Sequence, residues 1–142
     1  MSLRIFTWDP TTKDSAQLVD GDWSFGLERY RVELWSTDAV RGVGAQFIPR
    51  LASGDLYVRH DDLDALEMEA RRIEAAAEAI AAQLFIPSAP GPGAVVVQTA
   101  GSSRMHDAWG GGSPAESVKR YISNLLRAID FARHADCGLV IW

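Results

Sequence analysis

Short apolar runs and one alternating segment recur through the first 60 residues and predict β-strands. The segment LERYRVELW (27–35) places Tyr30, Val32 and Leu34 on one face and charged side chains on the other, which is typical of a half-buried strand. Three shorter apolar runs complete the pattern. Together the four segments predict an N-terminal β-meander with strands at 4–8, 27–35, 43–48 and 55–59.

Residues 61–85 show the three- and four-residue spacing of an amphipathic helix instead. Asp61 is the expected N-cap, and PSAPGPG (87–93) is expected to end the helix because proline cannot donate a backbone hydrogen bond. The helix should pack on the sheet of its own domain, with an intermolecular coiled coil as the alternative. Its apolar seam consists of Leu63, Leu66, Ala70, Ile73, Ala77, Ile80 and Leu84.

The last third of the chain alternates between strands and a helix. AVVVQTA (94–100) predicts a buried strand, a glycine-containing loop covers 101–113, a helix runs to about Ala135, and CGLVIW (137–142) predicts a final strand. The final β-α-β unit should hold parallel strands joined by a right-handed crossover. The order β-β-β-β-α-β-α-β predicts one α+β domain over 1–142, with a mixed, mostly antiparallel sheet and two helices packed on one face.

Charge narrows the choice of partners. The chain carries a net charge of −5, and residues 61–85 alone hold seven acidic and two basic side chains. Nucleic acid is not expected as a partner, because phosphate binding needs a basic footprint. An acidic helix favours a protein partner with a basic surface.

The cysteine content and the hydropathy of the chain indicate the cellular compartment to expect. Cys137 is the single cysteine, so no internal disulfide can form, which fits a reducing compartment. MSLRIFTWDP does not predict a signal peptide, and the apolar stretch AAAEAIAAQLFI is too short to cross a bilayer. A cytoplasmic location without membrane attachment is therefore expected.

The loop at 101–113 has two possible interpretations. Free amides in a glycine-rich loop before a helix can bind a phosphate or a nucleotide. Alternatively, Ser113, Pro114 and Glu116 form an ordinary capping box that needs no ligand. A ligand site here would use Ser102, Arg104, His106, Gly110, Gly111, Gly112 and Ser113.

The stretch VVVQTAGSS…WGGGSPAESVKRYISNLLRAIDFA…CGLVIW resembles the C-terminal part of macro domains, which bind ADP-ribose. The resemblance covers about a third of the chain and implies an ADP-ribose-like ligand. Independently of it, the residues of loop 101–113 leave open a small-ligand-binding protein or a hydrolase as the alternative function. The early Asn-Ala-Ala-Asn type motif and the earlier glycine-rich loop of that family are absent. We therefore attribute the resemblance to a shared β-α-β order.

Other candidate chemistry is weak in the sequence. His60, His106 and His134 each lie near an aspartate, but no metal-ligand spacing accompanies them, so no metal or cofactor is predicted. Cys137 opens an apolar strand, where a structural cysteine is more common than a nucleophile. The chain is thus not expected to be an enzyme, and no catalytic residue is nominated.

The preferred hypothesis is that the chain is a protein-binding module. More specifically, we expect a bacterial immunity or antitoxin-type protein that neutralises a toxin by binding it. Trp35 falls on the polar face of the predicted strand with Arg29 and Arg31, an aromatic and charged combination typical of interfaces. A homodimer built on an edge strand or on the helix seam is a further alternative. The acidic members of the predicted interface are Asp64, Glu67, Glu69, Glu74 and Glu78.

Overall fold

A computed structural model describes residues 2–12, 15–17, 23–85 and 113–142. Its strands are β1 (Ser2–Trp8), β2 (Ser15–Gln17), β3 (Ser24–Leu27), β4 (Leu56–Val58) and β5 (Gly138–Ile141). The sheet is built around β1, which pairs with β5 along one edge and with both β2 and β3 along the other. β4 pairs with the far side of β5, and every pairing in these ranges is antiparallel.

The helices form a second layer on one side of this sheet. They are α1 (Tyr30–Glu33), α2 (Asp38–Arg41), α3 (Leu63–Ala75), α4 (Ala77–Phe85) and α5 (Pro114–His134), and short 3₁₀ helices cover Ile48–Ala52 and His60–Asp62. The longest, α5, packs against β1, β3 and β5, and both α3 and α4 pack on α5. The fold is α+β, as the sequence predicts.

Local sequence signals set the limits of α5. The Ser113 hydroxyl accepts a hydrogen bond from the Glu116 amide at 3.1 Å, and the Glu116 carboxylate accepts one from the Ser113 amide at 3.3 Å. Pro114 occupies the first turn, where its missing amide proton leaves no bond unmade. The capping box predicted from the sequence is confirmed.

The apolar seam of residues 61–85 is confirmed, although two helices share it. The first six seam positions are fully buried, and Leu84 packs against the core. The chain departs from helical geometry at Ala76, which separates α3 from α4. Asp61 is not the N-cap, because a 3₁₀ turn covers His60–Asp62 before α3 begins at Leu63. The seam packs within the chain, mainly on α5.

Two predicted strands of the meander are wrong. Residues 27–35 form the end of β3, a turn and α1, and residues 43–48 form turns that lead into a 3₁₀ helix. Tyr30 and Leu34 are fully buried, but Val32, which should share their face in a strand, is 63% exposed. Tyr30 and Leu34 are four residues apart and lie on one side of a helical turn. Because the same spacing also fits the alternation of a strand, the sequence resembled a strand here.

The strand order also differs from a meander, since β4 pairs with β5 at the chain's end and makes no ladder with β3. The predicted strand 94–100 lies outside the described residues, and with it the parallel β-α-β unit. Within the described part of the chain, no helix is long and apolar enough to cross a bilayer.

Candidate protein-binding surface

The structure overturns the predicted surface around Trp35. Its side chain is 0% exposed, and its indole Nε1 donates a hydrogen bond to the Phe25 carbonyl oxygen at 3.0 Å. The ring stacks on Phe25 with centroids 4.2 Å apart. Because residues 27–35 are not a strand, Trp35 has no outer face to occupy, and the predicted exposed indole is wrong.

The two arginines predicted to accompany Trp35 are engaged locally. The Arg31 guanidinium bonds the Asp55 carboxylate at 2.8 Å, the Gly54 carbonyl at 2.7 Å and the Glu28 carboxylate. Arg29 is exposed and lies 3.6 Å from Glu33 on the next turn. Arg31 thus ties α1 to the turn before β4.

The predicted acidic surface is partly neutralised by basic residues of α5. Arg133 donates to Asp64 at 2.6 Å and to Glu67 at 2.9 Å, and the hydrogen bond from Arg133 holds the pKa of Glu67 below its usual value. Lys119 reaches Glu78 at 3.3 Å. Glu74 is half-buried. These contacts join α3 and α4 to α5, and part of each carboxylate remains exposed to water.

Glu69 is the exception among the acidic candidates, because it is only 4% exposed. One carboxylate oxygen accepts the amides of Gln46 and Phe47, the latter at 2.9 Å, and the other accepts the Ile48 amide at 2.8 Å. The expectation that Glu69 faces a partner is wrong, since the carboxylate supplies acceptors to a segment without a strand partner.

The alternative ligand site falls almost wholly outside the described residues. Ser102, Arg104, His106 and Gly110–Gly112 belong to the range 86–112, so that hypothesis stays a prediction. Ser113 is described, and its side chain caps α5.

The outer face of the sheet carries an aromatic surface that the sequence analysis did not nominate. Side chains of a strand alternate between faces, and Leu3 and Ile5 of β1 point into the core. Phe6 and Trp8 therefore point outward, and the register places Phe6 opposite Val140 and Val140 opposite Tyr57. Trp142 shares this face, since it exchanges backbone hydrogen bonds with Arg4.

Ring contacts connect these side chains in two pairs. Phe6 stacks on Trp142 with centroids 4.6 Å apart, and Trp8 meets Tyr57 edge to face at 5.0 Å. Trp8 is opposite Gly138, which has no side chain, so its ring can reach across β5 to Tyr57. A Cβ at Gly138 would lie 2.2 Å from the Val58 carbonyl oxygen, so only glycine fits there.

We call Phe6, Trp8, Tyr57 and Trp142 the aromatic sheet face. Tyr57 is 49% exposed and the other three are partly exposed. By strand alternation Arg4 lies on the same face as these rings, Arg59 directly follows Val58 at the end of β4, and both arginines are exposed. Tryptophan, tyrosine and arginine are the residue types that contribute most binding energy in protein interfaces. The alternation in RIFTW and LYV was a signal that could have found this face.

Catalytic or metal chemistry receives no support from the described side chains. Among them, no group of three or more histidine, cysteine, aspartate or glutamate residues could hold a metal ion. Burial raises the pKa of the Cys137 thiol, which disfavours the nucleophilic thiolate. His60 links the 3₁₀ turn to the residues just before β5, with Nδ1 3.2 Å from the Cys137 carbonyl oxygen and Nε2 3.4 Å from an Asp136 carboxylate oxygen.

Comparison of the chain with models of protein families, with curated proteins and with solved structures found no match.

Proposed function

We propose that the chain is a non-enzymatic protein-binding module and that its partner docks on the aromatic sheet face. The observation that carries this proposal is the row of four partly exposed aromatic rings on one side of the sheet, with Arg4 on the same face and Arg59 at the end of β4. Contiguous exposed aromatic surface marks interaction sites more often than isolated exposed side chains do.

The arrangement suits a rigid interface. β1 is paired along both edges and β5 lies between β1 and β4, so the strands that carry Phe6, Trp8 and Trp142 cannot shift independently. Aromatic side chains lose few rotamers on binding and bury a large area each. A partner would therefore meet a preformed surface, and little ordering would oppose binding.

The partner class remains the one inferred from composition. A cytoplasmic immunity or antitoxin-type protein that covers a toxin's active site fits a chain with a net charge of −5, because a basic toxin would be attracted over a distance. The exposed carboxylates of Asp64 and Glu78 lie in the helical layer, on the other side of the sheet from the aromatic sheet face, so they add to this long-range attraction and not to the docking contact. Arg133 and Lys119 reduce their net effect.

Quantitative capture from an extract of the native host tests the proposal. The immobilised chain is compared with a Trp8→Ser, Tyr57→Ser variant and with a Phe131→Ser control, which removes an aromatic side chain that is 45% exposed on α5. We expect one protein to be retained by the chain and the control, and to bind the sheet variant about 30-fold more weakly, which corresponds to the loss of a hot spot of about 2 kcal/mol.

Two results would contradict the proposal. Equal capture by all three proteins would remove the aromatic sheet face from recognition. Concentration-dependent dimerisation that only the sheet variant abolishes would show that a second copy of the chain occupies the face. Co-expression of the captured protein with and without the chain then tests the antitoxin class, since a toxin should arrest growth only when expressed alone.

A further inference from the structure

Several arginines of this acidic chain form no ion pair with any carboxylate that the structure describes, and three of them, Arg41, Arg50 and Arg72, line neighbouring clefts. They contrast with Arg31 and Arg133, which each bind two carboxylates. Uncompensated cations that lie near one another create a local positive potential even when the net charge is negative.

The three side chains line two adjoining clefts. Arg41, Arg50, Gln46 and Ser53 line a cleft of about 360 Å³. Arg72 lines a neighbouring cleft of about 230 Å³, which also includes Gln46. Gln46 joins the two clefts, and we call them together the arginine groove.

The second cleft adds apolar surface to the groove. Its walls include Phe47, Ala65 and the exposed side chain of Met68. The Arg50 guanidinium lies over the Phe47 ring, 4.9 Å from its centroid, so the cationic and apolar parts of the groove are in contact. A ligand that fills the groove should therefore carry negative charge beside an apolar group.

The groove is held in a fixed shape by its surroundings. Glu69 binds the amides of residues 46–48, and Pro49 lies in the first turn of the 3₁₀ helix that carries Arg50. Thr37 caps α2, whose last turn carries Arg41. Gly44 has a positive φ of 93°, and a Cβ there would lie 3.3 Å from Arg72 Nη1. Arg41 and Arg50 are thus carried by short helices whose ends are fixed by hydrogen bonds and by proline, and Arg72 is carried by the longer α3.

Among the described residues that line either cleft, Glu69 is the only one with a carboxylate, and it forms no ion pair with the three arginines. Both of its oxygens are occupied by backbone amides, and it is 4% exposed. Its charge lowers the positive potential at the Arg72 end. The end formed by Arg41 and Arg50 is therefore the stronger position for an incoming anion.

We propose that the arginine groove binds an acidic peptide segment of a partner protein. Its carboxylates would pair with Arg41 and Arg50, and an apolar side chain next to them would cover Met68 and Phe47. An extended segment fits two open clefts joined at Gln46, whereas a small molecule would need a deeper pocket to bury most of its surface. This site shares no residue with the aromatic sheet face and has the opposite charge preference from the basic partner proposed above.

Fluorescence anisotropy with a labelled peptide of alternating glutamate and leucine tests the groove directly on the purified chain. Three further arms separate the possible occupants: a glutamine-for-glutamate peptide, inorganic phosphate as a competitor, and a titration of salt. We expect the acidic peptide to bind, the glutamine peptide to bind at least tenfold more weakly, and affinity to fall as ionic strength rises to about 0.15 M.

A matched pair of variants locates the binding. Arg41→Gln with Arg50→Gln removes two charges from the groove, and Arg29→Gln with Arg120→Gln removes two exposed charges that belong neither to the groove nor to the aromatic sheet face. The groove variant should weaken peptide binding at least tenfold, and the control should change it less than twofold. Circular dichroism checks that both variants keep the helical content of the chain.

Each of four results would overturn the inference. Equal weakening by both variants would indicate unspecific attraction, and equal binding of the two peptides would exclude carboxylate recognition. Phosphate that displaces the peptide at micromolar concentration would assign the groove to a phosphate ligand. A change of sedimentation coefficient only in the groove variant would show that the groove contacts a second copy of the chain. None of these outcomes depends on whether the aromatic sheet face binds a partner.

Discussion

Two groups of four aromatic side chains lie on either side of the sheet and behave differently. Inside, Phe25, Tyr30, Trp35 and Tyr121 form what we call the inner aromatic cluster, in which all four are buried and Trp35 donates to a backbone carbonyl. Outside, the aromatic sheet face has similar composition and similar ring distances but stays partly in water. Whether an aromatic side chain is buried or exposed is therefore decided by its position in the strand or helix register and not by its residue type.

The strongest test of this comparison removes one indole from each group. Trp35→Ala should lower the free energy of unfolding by about 3–5 kcal/mol, because it deletes a fully buried ring and leaves the Phe25 carbonyl without its donor. Trp8→Ala should lower it by less than half as much, since its ring is already partly hydrated. Urea unfolding of both variants measures the difference, and equal losses would erase the distinction between the two groups.

Alkaline titration of the Tyr30 phenol is a second test of the inner aromatic cluster. Burial raises the pKa of Tyr30 to about 12, above the value of 10.0 for an unperturbed tyrosine. Because the folded state holds the proton more tightly, this stabilisation is complete below pH 10 and is lost as the pH rises from 10 to 12. The loss approaches about 3 kcal/mol.

Ultraviolet difference spectra at increasing pH, with Tyr30→Phe as the reference, measure this step. The variant should lack the phenolate absorbance that appears near pH 12 and should lose less stability between pH 10 and 12. A Tyr30 phenolate that forms near pH 10 in the folded protein would contradict the prediction.

Gly138→Ala should disturb the aromatic sheet face without removing any of its rings. The new methyl group would meet the Val58 carbonyl oxygen and push β5 away from β4, which carries Tyr57. We expect a loss of about 1–3 kcal/mol in unfolding free energy, the usual range for a side chain inserted into a filled space. Thermal unfolding followed by circular dichroism tests this, and a change under about 0.5 kcal/mol would show that β5 can move.

The smallest expected effect concerns the contact between the rings of Trp8 and Tyr57. A double-mutant cycle with Trp8→Ala and Tyr57→Ala should give a coupling energy of about 0.5–1.5 kcal/mol, as edge-to-face pairs do. Urea unfolding is measured for the unmodified chain, the two single variants and the double variant. Additivity within about 0.3 kcal/mol would mean that the two rings contribute to the surface independently.

The sequence predicted best where the signals are local. Ser113, Pro114 and Glu116 specify the start of α5 without help from the rest of the chain, and they were interpreted correctly. The seam of α3 and α4 was also recovered, because its periodicity is long enough to outweigh the break at Ala76. Residues 27–35 failed because Tyr30 and Leu34 satisfy both a strand alternation and an i, i+4 helical spacing.

The candidate surfaces depended on non-local information and were harder to predict. Glu69 stands three residues after Leu66 and one before Ala70, so it occupies the buried seam, and this spacing was a usable signal. Its partners at residues 46–48 are more than 20 residues away in the chain, and no periodicity indicates them. Likewise, Phe6 and Tyr57 share a face only because β5 pairs with both β1 and β4.

The carboxylate of Glu69 also couples the opening of two parts of the chain. The amides of Gln46, Phe47 and Ile48 have their acceptors on α3, so all three lose those acceptors when that helix separates from this segment. We expect their amide protons to exchange with solvent as one group, at the rate of that separation. Hydrogen exchange at residues 46–48 would therefore report how often the wall shared by the two clefts of the arginine groove opens.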